Sequence, residues 1–289
     1  MAQASTLCGA LSRAAWATAL AAGIGLGTGA AQAQDTLARL QEQGFARIAI
    51  ANEPPWTQVN ADGTVTGAAP EVAKAVLARL GIEEVVASIS EYGAMIPGLQ
   101  ARRFDLVTAG LFIKPERCEA VIFSEPDLCD AESFAVKAGN PLGLMTYEDI
   151  AASDSARVGA PGGGTEERLA LEAGVPRDRV IVVPDAQSGI AMLQDGRIDV
   201  YALPILSISA LLATADDPDL EMVAPIAGTP VYCAGAAFNA DDAAFRDAYD
   251  AELAALKESG EFAAIVEPYG FSGEAPGMTS RETLCGEPN

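Results

Sequence analysis

Leu99-Gln100-Ala101-Arg102-Arg103-Phe104-Asp105-Leu106 and Leu193-Gln194-Asp195-Gly196-Arg197-Ile198-Asp199-Val200 are two versions of one phrase. Each ends a helical stretch on Leu-Gln, passes through a turn, and starts a strand with Phe or Ile, then Asp, then an aliphatic residue. The copies stand 94 residues apart. Solenoid repeats recur every 20–50 residues or so, so this spacing points to two similar α/β lobes in one chain. Around the first copy, residues 46–50 read as a strand, 70–80 as a helix closed by Gly81, and 84–88 as a second strand. Such alternation favours a mainly parallel sheet with helices on its faces. Beyond Phe238 the pattern turns helical over 241–256 and 261–266, and a Gly/Pro/Ser-rich tail follows, reaching Cys285.

Composition narrows the function. The 289 residues include 18 Lys plus Arg, 40 Asp plus Glu and no His, a formal charge of -22. A polyanion of this size repels nucleic acid and anionic membrane surfaces, whereas cationic or zwitterionic small molecules remain open as partners. The content of 50% hydrophobic against 20% charged residues supports a large core. Without His, metal sites and Ser-His-Asp hydrolysis lose their commonest ligand and base, and no cofactor is expected.

The N-terminus reads as a secretory signal. Arg13 precedes an apolar run over 14–30, and Ala31-Gln32-Ala33 supplies the small-x-small site, with cleavage expected after Ala33. The run is too rich in Gly, Ala and Thr for a membrane span, which needs about 20 strongly apolar residues. Cys8 precedes the run and so is not a lipid-bearing cysteine. Cys118, Cys129, Cys233 and Cys285 remain, an even number that reads as disulfides in an exported chain. Their spacing leaves all three pairings open.

A series of segments carries a resemblance: 67–80, Ile96-Pro97-Gly98-Leu99 through Asp105, Ala109-Gly110-Leu111-Phe112-Ile113-Lys114-Pro115-Glu116-Arg117, Phe123-Ser124-Glu125-Pro126, Gly162-Gly163-Gly164-Thr165 and Gly196-Arg197-Ile198-Asp199. In this order they resemble the type II periplasmic solute-binding proteins of ABC importers, in the polar amino-acid-binding family 3. The resemblance implies two lobes, each a mainly parallel sheet flanked by helices, joined by two crossing hinge strands. Lobe 1 would comprise residues 34–129 plus 233–289 and lobe 2 residues 130–232. It further implies a periplasmic monomer that binds a small zwitterion without catalysis and delivers it to membrane permease and ATPase subunits.

Within that family, Arg117 matches the arginine whose planar fork takes a ligand carboxylate, and Gly164-Thr165 starts the facing helix, whose N-H groups suit an anion. From the residues alone, a surface ion pair of Arg117 with Glu116 or Glu119 is the competing role. Two positions depart from amino-acid binders. Phe112 stands where a Thr or Ser hydroxyl is usual, and Pro204 where an Asp would pair with an α-ammonium. Glu53, Trp56, Tyr92 and Phe112 instead suit a delocalised cation, held by cation–π attraction and one carboxylate. The set Glu-Pro-Pro-aromatic, Tyr-Gly-x-x-Ile-Pro-Gly-Leu and Ala-Gly-x-Phe-Ile-x-Pro-x-Arg-Cys most resembles the ectoine and hydroxyectoine binding proteins, with Trp56 in place of Phe. A betaine or polar amino acid as ligand, a secreted dehydratase on the same fold and a soluble sensor module are the alternatives. The crossing strands of the family would bring Cys129 beside Cys233, leaving Cys118 with Cys285; a local Cys118–Cys129 bond is the other pairing.

Overall fold

The computed structural model of the chain describes residues 36–286, so the expected signal segment, residues 1–33, lies outside the described residues. The strands in chain order are β1 (Phe45–Ile50), β2 (Gln58–Val59), β3 (Val65–Thr66), β4 (Glu84–Ile89), β5 (Leu106–Val107), β6 (Ile122–Phe123), β7 (Leu128–Asp130), β8 (Glu132–Lys137), β9 (Val158–Pro161), β10 (Val180–Val183), β11 (Val200–Pro204), β12 (Leu220–Val223), β13 (Tyr232–Ala234) and β14 (Ala237–Phe238).

Two five-stranded sheets share one design. The first has the order β4-β1-β5-β14-β6 and the second β10-β9-β11-β8-β12. In the first, β1 lies parallel between β4 and β5, and β14 runs antiparallel to β5 and β6. In the second, β9 lies parallel between β10 and β11, and β8 runs antiparallel to β11 and β12. The repeated phrase leads into β5 and β11, the equivalent third positions. Its aspartates do the same work: Arg47 N-H donates to Asp105 and Arg157 N-H to Asp199, each at 2.8 Å. Each tie fastens the incoming strand to the chain beside it. Asp105 is the more deeply buried and also receives the Arg39 and Arg47 guanidiniums at 2.7 and 2.9 Å. Burial opposes its ionisation, but those hydrogen bonds hold its carboxyl below the usual range.

Between the sheets, β7 and β13 pair antiparallel with Cys129 opposite Cys233. Disulfides join Cys129 to Cys233 and Cys118 to Cys285. The helix expected over 70–80 runs over Ala68–Arg79, and the later helices over Ala243–Glu258 and Glu261–Val266. The tail is more ordered than its composition suggests. It carries the helix Arg281–Gly286, fastened by Cys118–Cys285 and by Arg281 donating to Asp250 at 2.6 Å. No helix among the described residues is long and apolar enough to cross a membrane.

Candidate ligand-binding site

The loop leaving β1 is folded so that two side chains face inward. Asn52 adopts φ 55° and its Oδ1 accepts the Val59 N-H at 2.9 Å, while Thr57 N-H donates to the Glu53 carbonyl at 2.9 Å. Glu53 and Trp56 are thereby presented from one tight turn, both buried. Trp56 packs edge-on against Phe271 at 4.6 Å and Phe112 at 5.7 Å. Gly110 makes room for the indole, since a Cβ there would lie 2.4 Å from Trp56 Cε3. Phe112 is stacked on Tyr232 at 5.2 Å. Tyr92 opens the helix Tyr92–Gln100, and its hydroxyl sits 3.0 Å from the Ala109 carbonyl and 3.3 Å from Glu53.

Arg117 rises from the short helix Pro115–Cys118. Its guanidinium donates to the Phe112 carbonyl at 2.9 Å and to the Gly163 carbonyl at 3.3 Å. The competing surface ion pair is not formed among the described residues: Glu116 pairs with Arg168 at 3.2 Å instead. Across from Arg117, Gly164 caps the helix Thr165–Glu172. The Thr165 hydroxyl, like Trp56 Nε1, is buried without a hydrogen-bond partner in the protein. Such groups cost about 1–3 kcal/mol when left unpaired, which fits a site completed by a ligand.

All seven residues singled out in the sequence (Glu53, Trp56, Tyr92, Phe112, Arg117, Gly164 and Thr165) line one cavity, together with Gly110, Glu166 and Pro204. The cavity holds ionisable groups of both signs. Burial, with the neighbouring Glu166 charge, pushes the Glu53 carboxyl up to about 8, against hydrogen bonds from Ser207 and Tyr92 that favour its ionised form. Glu166 is raised by burial too, and Arg117 is lowered by burial against the pull of Glu166. The cavity can therefore take a carboxylate at Arg117 and a cation between the rings and the acids. No group of three or more metal-ligating side chains exists among the described residues.

Two members of the site escaped the sequence. Glu166 reads as an ordinary acid in the first turn of a helix, where it suits the helix dipole. Ser207, three residues after Pro204, donates from its hydroxyl to Glu53 Oε1 at 2.6 Å across 154 residues of chain. No local signal marks it.

Residues 46–272 match the profile of the bacterial extracellular solute-binding proteins, family 3. The chain belongs to this family. Among solved structures, this solute-binding protein is similar to EhuB in complex with hydroxyectoine, with a TM-score of 0.87 and 68% identity over 88% of this chain and all of that one. It is also 35% identical, over 86% of each chain, to the probable amino-acid ABC transporter periplasmic-binding protein y4tE of Sinorhizobium fredii. The ancestral amino acid-binding protein AncCDT-1, a precursor of cyclohexadienyl dehydratase, shares its fold at TM-score 0.71 and 24% identity.

Proposed function

We propose that this solute-binding protein is the extracytoplasmic receptor of an ABC importer for a compact cyclic zwitterion, ectoine or hydroxyectoine. The observation that carries the reading is one cavity that brings together the Arg117 cation, the Glu53 carboxyl and the rings of Trp56, Tyr92 and Phe112, with the Glu166 charge acting on both Arg117 and Glu53. The ligand carboxylate meets the Arg117 fork, the Thr165 hydroxyl and the N-H groups at the start of the helix Thr165–Glu172. The amidinium lies among Trp56, Tyr92 and Phe112, each ring contributing about 0.5–2 kcal/mol, and donates its N-H groups to Glu53. Supporting this is the 68% identity to EhuB, whose structure contains hydroxyectoine. An α-amino acid fits poorly, because Pro204 lines the cavity where an Asp would hold the ammonium.

In this reading residues 34–129 with 233–289 form one lobe and 130–232 the other, β7 and β13 bend between them, and the mature monomer starts after Ala33 in the periplasm. The loaded receptor docks on permease and ATPase subunits. Calorimetric titration against ectoine, hydroxyectoine, glycine betaine, proline and glutamine tests it. Saturable heat at one site per chain is expected with the first two. Tight binding of glutamine or betaine with none of ectoine or hydroxyectoine would replace the proposal.

A further inference from the structure

Beside the cavity the two halves of the molecule touch backbone to backbone. Gly93 is the second residue of the helix Tyr92–Gln100, where N-H groups have no partner within the helix. Glu91, its cap, makes no side-chain hydrogen bond to the turn. The Gly93 N-H is satisfied from the opposite half instead, donating to the Gly162 carbonyl at 3.1 Å. The next residue, Gly163, adopts φ +73°, and its carbonyl accepts from Arg117 at 3.3 Å. A Cβ on Gly163 would stand 2.4 Å from Gly93 Cα and 2.6 Å from Gly93 N. Both are backbone atoms of a helix, so no side-chain rotation relieves the overlap. The reverse is not true: a Cβ on Gly93 would meet Gly162 O at 3.5 Å and Gly163 Cα at 3.6 Å, which is ordinary contact.

The flanking residues give this contact its meaning. Tyr92 precedes Gly93 on one side, and Gly164 and Thr165 follow Gly163 on the other, and all three line the cavity. We propose that Gly93 with Gly162-Gly163 is the closing latch of the receptor, and that Gly163 is a positioning residue that sets how far the halves approach and therefore how well Arg117 and Thr165 meet one carboxylate. This rests on the reading of the cavity as a cleft that opens and closes on a ligand. A glycine is required at 163 by the approach of the facing helix as well as by its backbone angle, so the penalty of a side chain falls chiefly on the closed form.

The test separates these two requirements. Gly163→Ala, Gly93→Ala and Gly139→Ala are compared with the unaltered protein by calorimetric titration with ectoine, thermal unfolding without ligand, and amide hydrogen exchange at residue 93. Gly139 has φ +76° with nothing within 4 Å of a built Cβ, so its replacement reports backbone strain alone. Gly163→Ala is expected to weaken ectoine binding roughly tenfold or more, as overpacking against rigid backbone does. Its unfolding temperature without ligand should fall no further than that of Gly139→Ala. Gly93→Ala should weaken binding far less than Gly163→Ala, and the residue 93 amide should exchange faster in Gly163→Ala than in the unaltered protein. Equal affinity of Gly163→Ala and the unaltered protein overturns the latch, as does a loss matched by Gly139→Ala. If the unaltered protein gives no heat with ectoine, the ligand assignment fails, and exchange at Gly93 decides the latch by itself: equal rates with and without the Gly163 substitution overturn it.

Discussion

The two walls of the cavity are built from different material. From the first-sheet side come Glu53, Trp56, Tyr92, Phe112 and Arg117, large side chains placed by a tight turn, two helix starts and an edge-on ring stack. From the second-sheet side come Gly164, Thr165, Glu166 and Pro204, mostly backbone and small groups at a helix start, with Ser207 reaching over to Glu53. The contrast teaches a division of labour. In the proposed reading, one wall carries the groups that distinguish ligands, and the other brings backbone donors and a close-fitting surface that complete the enclosure. In the account proposed above, changes on the first wall alter which ligand is held, and changes on the second alter how firmly the cleft shuts.

The largest effect belongs to the clamp. Arg117→Ala leaves a ligand carboxylate facing a closed cavity without its cation, and should cost about 2–5 kcal/mol of ectoine affinity by calorimetry. A loss under about tenfold would take Arg117 out of the binding contacts and erase the first wall's advantage.

Glu53→Gln comes next. Replacing a charge-assisted hydrogen bond to an amidinium by a neutral one should cost about 1.5–3 kcal/mol. A quaternary ammonium has no N-H to donate, so unchanged affinity in this variant would point to a betaine. The same residue gives a pH signature. The Glu53 carboxyl is raised from 4.5 to about 8, so it holds a proton in the empty cavity below about 8, while a bound cation favours the carboxylate. Binding then releases a proton, and ectoine affinity should rise with pH and level off near 8. For the ligand-free protein the sign is opposite. The folded value lies above the unfolded one, so its stability falls as pH rises from 4.5 to about 8. Glu53→Gln should flatten both profiles, and a slope surviving in that variant would assign it to another group.

Phe112→Thr is the smallest of the first-wall effects. It removes a ring stacked on Tyr232 and restores the hydroxyl usual in amino-acid binders, and should weaken ectoine by about 1 kcal/mol or more. It should not create glutamine binding, because Pro204 still offers no partner for an α-ammonium. Strong glutamine binding by this variant would show that specificity does not rest on Pro204 and would blur the contrast between the walls. Ser207→Ala, on the second wall, removes one hydrogen bond to Glu53 and should cost about 0.5–1.5 kcal/mol of affinity. A cost exceeding that of Glu53→Gln would reverse the proposed division.

Legibility in the sequence followed the same line. The repeated helix-turn-strand phrase exposed the doubled α/β design because its signals are local: a helix end, a turn and an aspartate that ties neighbouring segments at 2.8 Å in both sheets. The first wall was readable through the family resemblance, whose motifs are short stretches of chain: Glu53 and Trp56 share one turn, and Phe112 and Arg117 are joined by a hydrogen bond across five residues. Ser207 and Glu166 were not, because a serine inside one helix and an acid at the start of another gain their roles only when distant segments meet. The helix Arg281–Gly286 was missed similarly: it is held by a disulfide spanning 167 residues and by Arg281 on Asp250, neither of which leaves a mark in the local composition.

The central claim is one of orientation, carboxylate toward Arg117 and delocalised cation toward Glu53. A crystal structure of the protein grown with ectoine tests it most directly. The account predicts electron density in the cavity with both carboxylate oxygens within hydrogen-bond distance of Arg117 and the Thr165 segment, ring N-H groups at Glu53, and Trp56, Tyr92 and Phe112 around the ring. Density for ectoine outside this cavity, or inside it with the carboxylate turned toward Glu53, would contradict it.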